Sequence, residues 1–142
     1  MTKKTGGVDD HGSKNMNKVV EEWLRLSEYD LQTAEAMVNS GRYLYVAFMC
    51  QQAVEKILKA IYCHTLNVLP PRTHNLLYLV DLLKLEMSES EKIFLSQLNQ
   101  FYLENRYPDA QGKLAKEMDK EKGQIFLKKT GEVWTCLRQT LP

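Results

Sequence analysis

Arg106 carries the most chemistry-ready group of this 142-residue chain, in the stretch Asn105-Arg106-Tyr107-Pro108-Asp109. Its guanidinium is a planar fork of donors that can grip a phosphate or carboxylate at two points. Proline disfavours the α region at the residue before it, so Tyr107 is expected to be extended and a helix to end near Asn105 or Arg106. Asp109 can then close a turn. A plainer role competes, in which Arg106 offsets a helix C-terminal dipole and pairs with Glu104 or Asp109.

A second group lies in Gln51-Gln52-Ala53-Val54-Glu55-Lys56-Ile57-Leu58-Lys59-Ala60. Gln51, Glu55 and Lys59 are spaced by four, which lines up an amide, a carboxylate and an ammonium on one helix face, with Gln52 and Lys56 beside them. The ordinary version of such a face is solvated and holds one Glu-to-Lys pair. His74-Asn75 follows Pro70-Pro71 and opens a helix, where main-chain N–H groups can meet an anion and an imidazole can titrate near neutrality. A turn or cap role is the simpler account of that histidine. His64 stands among apolar residues and reads as packing, while His11 belongs to the N-terminal segment. Six lysines between 113 and 129 face Glu117, Asp119 and Glu121, a local charge of +3. That run could follow a phosphate backbone, but only Phe126 interrupts it as an aromatic, so base stacking is not strongly indicated and a solvated helix face is expected.

The elements that must position these groups are helices. Val20, Leu24, Ser27, Leu31, Ala34 and Val38 recur at steps of three and four and draw one stripe, which Asn39-Ser40-Gly41 stops. Tyr43, Ala47, Cys50, Val54, Ile57 and Ile61 draw a second, giving an antiparallel hairpin. Thr73 can cap a third helix carrying Leu76, Leu79 or Val80, and Leu83. Ser88 with Glu91 forms a capping-box pattern ahead of Phe94, Leu98 and Phe101, a fourth helix over about 88–105. The chain then reads as polar to about Asp119. Ile125, Phe126, Val133, Trp134 and Leu137 suggest a last helix, weakened by Gly123 and Gly131. The expected architecture is an all-α, up-and-down bundle of about five helices over residues 17–142, behind a disordered tail at 1–16 whose glycines and charges leave little to bury.

Composition removes several classes. The net charge of +1 gives no global pull on nucleic acid or anionic lipid. Cys50, Cys63 and Cys136 are odd in number and sit in apolar runs, as expected of buried reduced thiols. No apolar run spans a membrane and no signal peptide opens the chain, so the expected compartment is the cytoplasm. There is no Gly-rich phosphate loop, His-Glu-x-x-His, Cys-x-x-Cys or Gly-x-Ser-x-Gly; no metal site and no cofactor are expected.

Taken together, the amphipathic first helix, the Gln51-to-Ala60 run, His74-Asn75-Leu76 after prolines and Arg106-Tyr107-Pro108-Asp109 resemble the HEPN family (higher eukaryotes and prokaryotes nucleotide-binding). The resemblance spans about residues 18–140. It implies a bundle of about five helices, usually a homodimer, often encoded beside a minimal nucleotidyltransferase in toxin–antitoxin or defence pairs. Many members are metal-independent ribonucleases that use an arginine and a histidine four to six residues apart. Here the positions after Arg106 that would hold that histidine are Gln111, Gly112 and Lys113. The family's general acid/base is therefore missing, and no catalytic residue carries over. The expectation is a non-catalytic module that binds a nucleotide or RNA phosphate, or docks a nucleotidyltransferase, through Arg106, Tyr107, Asp109, His74, Asn75, Glu55, Lys56 and Lys59. The alternatives are an endoribonuclease in which Arg106 works with His74 or Asp109, and a purely structural helical adaptor.

Overall fold

The first stripe lies on α1 (Thr5–Asn39) in the computed structural model, which describes residues 5–142, with side chains from Met16 onward. The backbone of α1 begins inside the segment expected to be a tail, and residues 1–4 of that segment lie outside the described residues. Gly41, at a φ of 77° that side chains rarely adopt, reverses the chain. The second stripe opens in a single 3-10 turn, Tyr43–Tyr45, and continues as α2 (Val46–Leu66). Asn67, in the left-handed region, closes α2 ahead of the prolines.

Helix α2 is the spine of the molecule. It packs against α1, α3 (Leu76–Leu83), α4 (Glu89–Glu104) and α6 (Lys120–Arg138). Thirteen of its 21 residues are buried, so it has almost no solvated side. Ala47, Cys50, Val54, Ile57 and Leu58 are fully covered, and each large aliphatic among them contributes about 1.5–3 kcal/mol by leaving water. Phe94 and Phe101 of α4 meet Phe126 of α6 edge-on, at centroid distances of 5.4 and 5.3 Å. At Gly123 α6 lies against the hairpin, where an added Cβ would meet the Tyr43 ring at 3.4 Å, an ordinary packing distance.

The all-α expectation holds, with six α-helices and no strand among the described residues. The added helix is α5 (Pro108–Glu117), in the stretch expected to be irregular. Pro108 does end α4, but it also occupies the first turn of α5, where its missing N–H costs nothing. One fully buried side chain, Leu114, anchors α5 to the core. The Ser88–Glu91 capping box forms as expected. Helix α3 is capped by Asn75 rather than Thr73, whose hydroxyl instead accepts from the Asn75 N–H at 3.1 Å. Two further expectations need correction. His64 is exposed at the last turn of α2, where a basic ring suits the helix dipole. Cys136 is exposed while Cys50 and Cys63 are buried, and all three are free thiols.

Candidate functional site

Helix α2 builds the floor of the site, and its polar row is not solvated. Gln51, Glu55 and Lys59 are 0%, 3% and 6% exposed. The Glu55 carboxylate is fully engaged: Oε2 accepts from Lys59 Nζ at 3.0 Å, and Oε1 accepts from Gln51 Nε2 at 3.1 Å and faces His74 Nδ1 at 2.9 Å. The same Gln51 nitrogen donates to the His74 main-chain carbonyl at 2.8 Å, and Gln52 Nε2 supplies the Gln51 amide oxygen at 2.7 Å. Lys59 also lies 5.4 Å from the Trp23 ring centre on α1. What covers the row is thus the segment leading into α3 on one side and α1 on the other.

The entry to α3 and the end of α4 build the walls. Asn75 Oδ1 caps α3 by accepting from the Tyr78 N–H at 3.2 Å, and it also accepts from Asn99 Nδ2 at 3.0 Å. Asn99 Oδ1 in turn accepts from the Leu76 N–H at 3.1 Å, so two asparagines stitch α3 to α4. These bonds use the first donors of α3. An anion here therefore depends on side chains more than on the helix terminus.

Tyr102 stands at the centre. Its ring stacks on Phe48 at 5.4 Å, meets His74 at 5.0 Å and lies 5.9 Å from the guanidinium carbon of Arg106. Burial pushes its phenol above the ordinary range, the Glu55 charge adds to this and Arg106 partly offsets it. Thr73, His74, Asn75, Asn99, Tyr102, Leu103 and Arg106 line a cavity of about 270 Å³. Pockets for drug-sized ligands run to roughly 300–1,000 Å³, so this one suits a phosphate with part of a nucleoside. No carboxylate lines it.

His74, Asn75 and Arg106 thus come together in one cavity, with Glu55 directly behind the histidine. Arg106 makes no ion pair with Glu104 or Asp109, nor with any other acid among the described residues, so its guanidinium is available. Tyr107 is extended as its proline neighbour requires, but it is 60% exposed and outside the cavity lining. Asp109 sits in the first turn of α5, also outside. Lys56 turns away to Asp30 of α1 at 2.6 Å, and Lys59 serves Glu55. Gln111, where the arginine–histidine spacing would place a histidine, donates its amide to the Asn105 carbonyl at 2.6 Å and holds the α4–α5 junction. Tyr102 and Asn99 were not foreseen. Their signal was present, because Asn99, Tyr102 and Arg106 follow one another at steps of three and four.

A family model described as HEPN domain matches residues 20–140. The fold is similar to that in the crystal structure of TT1696 from Thermus thermophilus, with a TM-score of 0.74 and 24% identity, covering 86% of this chain and 98% of that one. No curated protein sequence gives a match. Among the described residues no helix is long and apolar enough to cross a membrane, and no cluster of three metal-ligating side chains occurs.

Proposed function

The chain belongs to the HEPN domain family, and from that premise we propose that it binds a nucleotide or RNA phosphate in the cavity shared by His74, Asn75 and Arg106. The observation that carries this reading is the pairing of an unengaged guanidinium and a half-exposed imidazole on one tyrosine ring, in a cavity without a carboxylate. Arg106 supplies the two-point grip on phosphate oxygens, and His74, on the same Tyr102 ring, adds a second nitrogen. Asn75 and Thr73 offer polar groups for a sugar or base edge. Lys56, Lys59 and Glu55 act behind the cavity rather than at the ligand. Titration with inorganic phosphate, adenosine monophosphate and short oligoribonucleotides tests this reading, and unchanged affinities in Arg106→Ala would overturn the arginine's role.

The Glu55–His74 contact favours one further reading, a metal-independent endoribonuclease. Here His74 Nε2 takes the proton of a ribose 2′-hydroxyl, whose oxygen attacks phosphorus and expels the 5′-oxygen. That leaving oxygen takes a proton back, and Arg106 steadies the added negative charge. The expected product is a 2′,3′-cyclic phosphate formed in the presence of a chelator and lost in both Arg106→Ala and His74→Ala. Intact RNA after long incubation would sink it.

Family membership also supports a homodimer and docking of a minimal nucleotidyltransferase, as in a toxin–antitoxin or defence pair. Sedimentation of the purified chain and its co-purification with a neighbouring nucleotidyltransferase test these two assignments separately.

A further inference from the structure

We infer that Glu55 is a positioning residue for His74: it takes the Nδ1 proton, holds the imidazole in one tautomer and so presents Nε2 to the cavity. The ligand role of Nε2 rests on the phosphate-binding reading above, whereas the tautomer itself does not.

As the carboxylate of an ion pair with Lys59, Glu55 has only acceptors to offer, so Nδ1 at 2.9 Å must donate. Which nitrogen of a histidine faces outward is set by the bond the other one makes. Every polar atom of the buried row finds a partner: Gln52 satisfies Gln51, Gln51 and His74 share Glu55 Oε1, and Lys59 takes Oε2. His74 Nε2 has no hydrogen-bond partner among the described residues, on a ring whose side chain is 53% exposed. The arrangement is closed except at that one nitrogen.

Energetics point the same way. Withdrawing a Lys–Glu pair from water is costly, and apolar side chains of similar size often serve stability as well or better. A buried pair placed under one half-exposed imidazole is accounted for by what it does to that ring. Gln51 adds a second restraint, since the nitrogen that donates to Glu55 also holds the His74 backbone. The remaining groups around the ring are Tyr102 of α4 at 5.0 Å and, on the same tyrosine, Arg106 just beyond the end of α4. Neither competes for Nδ1. With the ring neutral, Nε2 accepts from a ligand hydroxyl; with the ring protonated, it donates to a phosphate oxygen.

The experiment reads the ring nitrogens directly, by long-range proton–nitrogen correlation on the uniformly labelled full chain at a pH where His74 is neutral. The expected wild-type spectrum has the proton on Nδ1, opposite to the preference of a solvated histidine. A dominant Nε2–H form in the wild type would overturn the inference without any variant. The paired variant Glu55→Leu with Lys59→Met keeps the local net charge unchanged, leaves no lone buried ammonium and removes the acceptor that faces Nδ1. It is expected to shift the ring towards the Nε2–H form and to weaken inorganic phosphate binding about tenfold, as loss of an orienting partner does. The same pair of changes is expected to add nothing in a His74→Ala background. An unchanged tautomer in a destabilised variant would make Glu55 a mere anchor and end the proposal. If the wild type binds no phosphate, the binding reading fails and the nitrogen spectrum still decides the role of Glu55.

Discussion

Two polar stretches of this chain sit in opposite surroundings. On α2, Gln51, Glu55 and Lys59 are buried and bonded to one another. At the α4–α5 junction, Arg106, Tyr107 and Asp109 are exposed. The buried row supplies geometry, because low mobility and unscreened charge fix where a neighbouring ring points. The exposed stretch supplies reach, because a guanidinium free of acidic partners can turn to a ligand. His74 is the one residue that belongs to both, tied to the row through Nδ1 and open to the cavity on its other edge.

The largest test of this contrast is Glu55→Ala. It leaves Lys59 buried without a counter-charge and is expected to cost about 3–5 kcal/mol in denaturant unfolding. A loss below about 1 kcal/mol would mean that water reaches Lys59 and that the two stretches are alike. Alkali probes the apolar side of the same helix. Burial pushes the Cys50 thiol from 9.0 up to about 12, and the Tyr102 phenol is also raised. Both groups favour the fold in their protonated forms, so that stability is intact below pH 9 and drains away as pH rises towards 12, by up to about 4 kcal/mol for the thiol. Melting temperature against pH measures it, and Cys50→Ala is expected to flatten the slope.

Arg106→Ala is expected to do the reverse of Glu55→Ala. Stability stays within about 0.5 kcal/mol, as for other surface changes, while phosphate affinity falls by about 10- to 100-fold, the value of a charge-assisted hydrogen bond. Smallest of all is Asp109→Ala. Its carboxylate sits in the first turn of α5, where helix-dipole stabilisation is worth about 0.3–1 kcal/mol, and phosphate affinity is expected not to change. A large affinity loss there would extend the site along α5 and blur the contrast.

What was legible in the sequence was local. The capping box at Ser88 and Glu91 and the extended Tyr107 depend on residues within four positions of one another, and both appear as expected. The stripes on α1 and α2 needed only helical spacing. Burial of Gln51, Glu55 and Lys59 was not legible, because a polar row at steps of four looks the same whether water or another segment lies above it. Here the covers are His74, 19 residues from Glu55 along the chain, and Trp23 on α1. Helix α5 was hidden for a different reason. Leu114 is its only buried residue, so there was no apolar period to see. Tyr102 was passed over because the apolar stripe of α4 runs through Phe94, Leu98 and Phe101, its neighbour.

The tie from Gln51 to the His74 carbonyl has a consequence for the order in which the molecule comes apart. Between Asn67, which ends α2, and Asn75, which caps α3, the chain makes no helical hydrogen bonds. The His74 wall of the cavity therefore rests on a short strap fastened to the spine at one residue, by the Gln51 amide on its carbonyl and the Glu55 carboxylate on its ring. Local opening of such a strap requires far less than global unfolding. Ligand binding should vanish at a denaturant concentration where the helical signal is still intact, and amide exchange at residues 72–75 should run ahead of that in α2. Gln51→Leu should widen the gap between the two transitions.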